Sequence, residues 1–139
     1  MKPERKLWMT LKEQTKGLPN LFLTRIETGI ILPGIPDVHG IWNGVPFWLE
    51  LKICSLKRNS FKCNVSPHQI GWQTQYTRQG GIVWNLIHRP SSSELILFPG
   101  ERIMEAVENL PLSTAPYRET MSDVSWPTVF DTITIKREG

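Results

Sequence analysis

The feature that most constrains the fold is a predicted β-hairpin centred on Asn43-Gly44. An Asn-Gly pair between two apolar runs is the strongest short-range signal for a two-residue type I′ turn. Counting back along both strands from that turn places Asp37 directly opposite Glu50. Because directly opposed residues share a face of the sheet, the two carboxyl groups are predicted to lie close together.

The residues after the turn alternate in the way that a half-buried strand requires. One face takes only apolar residues, namely Val45, Phe47, Leu49, Leu51 and Ile53. The other face carries Glu50 and Lys52, on the same side as Asp37. Two adjacent carboxylates repel, and a divalent cation such as Mg²⁺, which takes carboxylate oxygens, would relieve that repulsion. The alternative interpretation is a solvated strand with a weak Glu50–Lys52 ion pair.

The chain has 139 residues, enough for one domain with a substantial core. We expect a single domain over residues 1–139, with its core at about 21–98 and a C-terminal extension over 99–139. The sequence contains neither a signal-peptide pattern nor an apolar run of membrane-spanning length, so we expect a cytoplasmic protein. The two cysteines, Cys54 and Cys63, do not require a disulfide, and they lack the further ligands that would predict a zinc site.

The charge distribution is uneven, although the net charge is only +3. The segment from Leu51 to Ser93 contains no acidic residue but six basic ones, which are Lys52, Lys57, Arg58, Lys62, Arg78 and Arg89. Such a surface favours phosphate binding, and chance placement of charges is the alternative. The residues that we expect to contact a nucleic-acid backbone are Lys57, Arg58, Lys62 and Arg78.

The order of predicted elements indicates the fold class. We expect a helix over 4–17, a strand over 21–28, the hairpin, a loop over 55–65, a helix from 67 to 79, strands over 82–88 and 94–98, a helix over 100–110 and an edge strand over 132–135. The helix at 67 begins with a capping box, formed by Ser66 and Gln69 with Pro67 between them. This order predicts an α/β domain, with a mixed central β-sheet and flanking helices.

Four segments together resemble a known family, the PD-(D/E)xK nuclease superfamily. They are Gly34-Ile35-Pro36-Asp37, Phe47-Trp48-Leu49-Glu50-Leu51-Lys52, Ser66-Pro67-His68-Gln69 and Gly80-Gly81 before an apolar strand. Within the superfamily the sequence is most similar to the VRR-NUC type, which includes small phage proteins similar to Holliday-junction resolvases. The resemblance covers roughly 34–87 and implies a restriction-endonuclease-like core.

The resemblance also implies roles for particular residues. Asp37, Glu50 and the backbone carbonyl of Leu51 would bind Mg²⁺ or Mn²⁺, and Lys52 would orient or activate the attacking water. Gln69 matches a glutamine that lies near the catalytic centre of the family, although a capping-box glutamine needs no catalytic role.

Many members of the family place an acidic residue of the first helix near the metal. Glu4 is the candidate here, because it shares a helical stripe with Leu7 and Leu11. Glu13 lies off that stripe.

The expected function is that of a metal-dependent phosphodiesterase, an endonuclease acting on DNA, with branched or junction DNA as the implied substrate. The alternative is a non-catalytic nucleic-acid-binding accessory protein. The residues do not distinguish a four-way junction from a flap, a duplex, a single strand or RNA. Cleavage of a junction requires two active sites and hence a homodimer. The apolar segments 95–98 and 103–107, or the tryptophans, are candidates for its interface.

Overall fold

The structure, a computed structural model, describes residues 3–26, 33–54, 56–57, 60–61, 64–107 and 110–135. Within these ranges the helices are α1 (Pro3–Thr15), α2 (Pro67–Arg78), α3 (Ile103–Val107) and α4 (Trp126–Thr134). The strands are β1 (Leu21–Arg25), β2 (Val38–Trp42), β3 (Val45–Ile53), β4 (Leu56–Lys57), β5 (Ser60–Phe61), β6 (Val83–Arg89), β7 (Glu94–Pro99), β8 (Leu110–Pro111) and β9 (Tyr117–Thr120).

Six of these strands form a central sheet in the order β1-β2-β3-β6-β7-β9. The pair β3–β6 is parallel and the other pairs are antiparallel. A parallel pair needs a crossover connection, and α2 lies in the connection between β3 and β6. The predicted α/β fold with a mixed sheet is therefore confirmed. The short strands β4, β5 and β8 pair in a second sheet, and two of them fall within the predicted loop over 55–65.

The hairpin between β2 and β3 adopts the predicted turn. Asn43 has φ 48° and Gly44 has φ 81°, and positive φ at both central residues defines a type I′ turn. The observed pairs are Trp42–Val45, Ile41–Pro46, Gly40–Phe47, His39–Trp48 and Val38–Leu49. This register agrees with the predicted one, and the ladder ends one position before Asp37.

The two faces of the central sheet pack against different helices. The apolar face of β3 belongs to the main core, where Leu49 and Leu51 meet Leu11 of α1 and Phe130 of α4. On the other face Ile87, Ile96 and Phe98 form a second, smaller cluster with Ala106 of α3. Helix α2 contacts this second side near β6, so the polar face of β3 points toward α2.

The C-terminal region differs from its prediction. Residues 132–135 were expected to form an edge strand, but α4 extends through Thr134. Its buried residues recur at helical spacing, and they are Trp126, Val129, Phe130 and Ile133. Ser125 caps this helix, and Pro127 stands in its first turn. These residues join the main core, so the predicted C-terminal extension contributes to that core. The extension also supplies β9, a strand of the central sheet that was not predicted.

Two further expectations in the C-terminal half are wrong. Helix α3 spans only Ile103–Val107 after a 3₁₀ turn, whereas a helix over 100–110 was expected. The segment 95–98, a candidate subunit interface, is fully buried inside the chain. A buried strand between β6 and β9 presents no surface to a second copy.

Cys54 follows β3 and is buried. It is disulfide-bonded, although the sequence did not require a disulfide. The other cysteine of the chain, Cys63, lies outside the described residues. Among the helices within the described ranges, none combines the length and the apolar character needed to cross a bilayer.

The pairing of Gly40 with Phe47 generates a stability prediction. A Cβ added at Gly40 would collide with the buried ring of Phe47, whereas a Cβ at Gly71 of α2 would meet nothing within 4 Å. We expect Gly40→Ala to lower the free energy of unfolding by about 1–3 kcal/mol. Gly71→Ala should raise it by about 0.5–1 kcal/mol, because alanine is the better helix former. Urea denaturation of both variants checks this, and equal midpoints would contradict the packing described.

Candidate functional site

The site begins where β2 ends. Because the β2–β3 ladder stops at the pair Val38–Leu49, the N–H of Leu51 has no strand partner on that side. The Asp37 side chain takes its place, and its Oδ2 accepts a hydrogen bond of 2.9 Å from Leu51 N. The other oxygen, Oδ1, lies 3.8 Å from Nη1 of Arg25. The local chain geometry therefore fixes the Asp37 carboxylate at the edge of β3.

Glu50 is a buried carboxyl group, with only 4% of the residue exposed. Its Oε1 accepts a hydrogen bond of 3.0 Å from Gln69 Nε2, whereas Oε2 is buried and has no hydrogen-bond partner among the described residues. Burial, and then the charge of Asp37, raise the pKa of Glu50 to about 9, although Lys52 and Arg25 act in the opposite direction. Without a bound cation, Glu50 is therefore protonated at neutral pH and faces Asp37.

Gln69 links the helix α2 to the acidic side chains. Its Oε1 accepts hydrogen bonds from Ser66 N at 3.1 Å and from Lys52 Nζ at 2.8 Å. Since the amide oxygen is occupied by these donors, the amide nitrogen is directed to Glu50. The Ser66 hydroxyl accepts in turn from Gln69 N, which completes the predicted capping box. One side chain thus starts the helix and also holds two residues of the site.

Lys52 is held in place by two acceptors. Its Nζ donates to Gln69 Oε1 and, at 2.9 Å, to the backbone oxygen of Asn64. An ammonium group has three N–H donors, so one remains for a third partner. The positive charge therefore lies beside Glu50 in a fixed position.

The oxygen atoms of the site suit a hard cation. In a strand, the N–H and C=O of one residue point to the same side, so the Leu51 carbonyl is directed to the side on which Leu51 N meets Asp37. Glu50 Oε2, which has no hydrogen-bond partner among the residues described, adds a further oxygen. Carboxylate and carbonyl oxygens are the ligands that Mg²⁺ and Mn²⁺ prefer. The residues present therefore fit a divalent cation.

Glu4, the acidic residue expected near the metal, is not grouped with the two carboxyl groups. The described residues contain no cluster of three or more His, Cys, Asp or Glu side chains that could hold a metal, so Glu4 does not join Asp37 and Glu50 in such a cluster. Arg78, expected to contact nucleic acid, is exposed in the last turn of α2, nine residues beyond Gln69, and its role stays a prediction. At the helical rise per residue, that is roughly 13 Å away along the helix.

The remaining basic residues expected to contact nucleic acid are Lys57, Arg58 and Lys62. Arg58 and Lys62 lie outside the described residues, as does the side chain of Lys57. Their role stays a prediction.

Two features of the site were missed by sequence reasoning. Arg25 belongs to no motif, and it reaches Asp37 only because β1 pairs with β2. The second feature is a buried amide pair, in which Gln73 and Asn85 exchange two hydrogen bonds of 2.9 Å. Asn85 is the strand partner of Glu50 on β6, so this pair anchors α2 to the sheet beside the carboxyl group. The helical spacing of Gln69 and Gln73 was the available signal.

An aromatic series adjoins the polar residues. The ring of His39 meets Trp48 at 4.9 Å between centroids, and Trp48 meets Trp72 of α2 at 5.6 Å. Tyr76 stacks on Trp72 at 4.6 Å. These four residues are partly exposed, so they form a half-buried border of the site on the α2 side.

Comparison with known proteins identifies the fold. The structure is similar to that of Hjc, a Holliday junction resolvase from the archaeal hyperthermophile Archaeoglobus fulgidus, with a TM-score of 0.52 and 19% sequence identity. The match covers 81% of this chain and 87% of the resolvase. No protein-family model matches the sequence, and no curated protein matches it. The chain therefore shares the fold of this resolvase.

The raised pKa of Glu50 predicts how stability depends on pH. The folded protein retains a proton that the unfolded chain loses near pH 4.5, so without metal the free energy of unfolding should fall as pH rises from about 4.5 to about 9. In Glu50→Gln, an amide N–H replaces the orphaned oxygen and can donate to Asp37. We therefore expect this variant to be more stable than the wild type at pH 8, by about 1–3 kcal/mol.

Urea denaturation in a metal chelator at several pH values measures this effect. Glu4→Gln is the matched control, and it should retain the slope of the wild type. If Glu50→Gln showed the same slope as the control, Glu50 would not be a buried carboxyl group.

Proposed function

We propose that this protein is a metal-dependent phosphodiesterase, an endonuclease that cleaves branched or junction DNA. The observation that carries the proposal is the buried Oε2 of Glu50, which lacks a hydrogen-bond partner among the described residues and faces the carboxylate of Asp37. In the metal-free protein, burying an unpaired carboxyl oxygen beside a second acid costs folding free energy. A cation bound by both groups would remove that cost. The resolvase-like fold supports the same assignment.

In this proposal Asp37, Glu50 and the carbonyl of Leu51 hold Mg²⁺ or Mn²⁺. When bound, the ion would neutralise charge on the phosphate and lower the pKa of a coordinated water. Asp37 is kept in place by Leu51 N, and Glu50 by Gln69 Nε2. The protein thus fixes both carboxylates before substrate arrives, and little reorganisation is needed during the reaction.

Lys52 is the proposed residue for handling the attacking water. Its ammonium group is anchored by Gln69 and by the backbone of Asn64, and it keeps one N–H for a further acceptor. That N–H would orient the water, and the fixed positive charge would stabilise the negative charge that develops on the phosphate. Gln69 is then a positioning residue, because it acts through Lys52 and Glu50.

The proposed junction substrate is supported by similarity to other proteins. The similar structure is that of a Holliday junction resolvase, and the motif segments resemble the VRR-NUC type and its small phage members. Two symmetric cuts in a junction would need two copies of this site, which favours a homodimer. DNA is accordingly the proposed partner.

The competing function is that of a non-catalytic nucleic-acid-binding accessory protein. It requires a basic surface but no metal site. The buried carboxyl pair with a lysine and a glutamine fixed beside it favours catalysis, because a binding surface gains nothing from a buried acid with an unused oxygen.

The proposal predicts that the two carboxylates are required for cleavage and not for binding. Asp37→Asn and Glu50→Gln should each reduce Mg²⁺-dependent cleavage of a labelled four-way DNA junction by at least about a hundredfold. Binding of the same junction without metal should change by less than about threefold, since neither variant removes a phosphate-contacting cation.

The matched control is Asp123→Asn, which makes the same chemical change at an exposed turn. It should cleave at the rate of the wild type. Full activity of either site variant, or wild-type activity in excess chelator, would reject a metal-dependent mechanism on these residues.

The bridging role of Gln69 can be separated from its capping role. Gln69→Ala removes both, and we expect it to raise the Mg²⁺ concentration needed for half-maximal cleavage by about 10- to 100-fold. Ser66→Ala removes only the serine hydroxyl of the cap, so it should lower stability by about 1 kcal/mol and leave the Mg²⁺ requirement unchanged. If both variants shifted the Mg²⁺ requirement equally, Gln69 would act through the helix start alone.

A further inference from the structure

A groove lies along the outer face of α1 and continues to β1. Its volume is about 540 Å³, and it is lined by Arg5, Trp8, Met9, Lys12, Glu13, Lys16 and Arg25. Five of these residues recur along one stripe of α1 at helical spacing, and Lys16 follows directly after the helix. Below, these seven residues are called the α1 groove.

The α1 groove is strongly cationic. Four of its residues are basic and only Glu13 is acidic, and the Glu13 carboxylate is already engaged by Lys16 Nζ at 2.7 Å. Arg5 and Lys12 are exposed and form no ion pair with any residue within the described ranges. Free cations on one face of a helix attract a polyanion.

The α1 groove is continuous with the candidate active site through Arg25. Its Nη1 lies 3.8 Å from Asp37 Oδ1, and it is buried without a hydrogen-bond partner among the residues that the structure describes. A ligand lying in the groove would therefore reach Asp37 from the α1 side of the sheet, whereas Glu50 points to the α2 side.

The dimensions and the lining of the α1 groove fit a nucleic-acid strand. From Arg5 to its end at Thr15 the helix rises roughly 15 Å, which corresponds to about four steps of 3.4 Å along one DNA strand. Trp8 is half-buried, and Met9 is 48% exposed. An aromatic side chain among basic ones is the combination that contacts sugars and bases while cations hold phosphates.

We propose that the α1 groove binds the phosphodiester backbone of the strand that enters the site at Asp37 and Glu50. This inference rests on the proposed function and names the surface that delivers the substrate. It differs from the sequence-based expectation, which placed the nucleic-acid contacts in the acid-free segment 51–93. Composition along the chain could not reveal the groove, because α1 carries the acidic residues Glu4 and Glu13 among its basic ones.

The test compares three single substitutions of basic residues in the full-length protein. Arg5→Ala and Lys12→Ala remove cations of the α1 groove, and Lys6→Ala removes an exposed cation of the same helix outside the groove. All three variants have the same net charge. Binding of a fluorescein-labelled four-way DNA junction is measured by anisotropy in a metal chelator, at several salt concentrations.

Arg5→Ala and Lys12→Ala should each raise Kd about three- to tenfold and reduce the salt dependence by about one counterion. Lys6→Ala should change Kd by less than about twofold. Glu13→Gln should lower Kd, because it removes the acid from the groove. Thermal melting of each variant should match the wild type, because the substituted side chains are exposed.

Two outcomes would overturn the inference. An equal effect of Lys6→Ala and Lys12→Ala would mean that only overall charge matters. Equally tight binding of a labelled polyglutamate peptide would identify an acidic peptide as the occupant.

The inference and the proposed function fail in different ways. If the wild type cleaves the junction but Arg5→Ala and Lys12→Ala leave Kd unchanged, the role of the α1 groove is rejected and the proposed nuclease activity stands. If Arg5→Ala and Lys12→Ala raise Kd but the wild type shows no Mg²⁺-dependent cleavage, the role of the α1 groove stands and the proposed nuclease activity is rejected.

Discussion

The burial of Glu50 beside Asp37 is the constraint on which the rest of the site depends. A carboxyl group that is 4% exposed, with one oxygen lacking a partner among the described residues, needs either a proton or a cation. Burial and the charge of Asp37 raise its pKa to about 9, so the metal-free protein keeps the proton. Binding of a divalent cation would displace that proton, and affinity for the metal would therefore increase with pH.

Two glutamines of α2, Gln69 and Gln73, make the polar contacts that surround these acids. Gln69 completes the capping box of α2 and directs its amide nitrogen to Glu50 while its oxygen holds Lys52. One turn later, Gln73 binds the buried Asn85, the neighbour of Glu50 on β6. Helix α2 is thus attached to the sheet by polar contacts at the site itself. A shift of α2 would disturb the contacts of Gln69 with both Glu50 and Lys52.

Local rules predicted those parts of the fold and site that depend on neighbouring residues. The Asn43-Gly44 turn, the hairpin register and the helix start at Ser66 follow from backbone preferences, and the structure has all three. The contribution of Arg25 could not be predicted, because it depends on the pairing of β1 with β2. Helix α4 was missed because its proline and its three threonines are poor helix formers, whereas its burial against Phe47 and Leu49 decides its structure.

The most direct test of this account is the location of a bound metal. Crystals of the protein soaked in Mn²⁺ should give an anomalous-scattering peak between the carboxylates of Asp37 and Glu50, within about 2.0–2.5 Å of one oxygen of each. The Leu51 carbonyl should be a further ligand. An ion bound elsewhere, or these carboxylates free of metal at saturating Mn²⁺, would contradict the assignment of a metal-dependent active site.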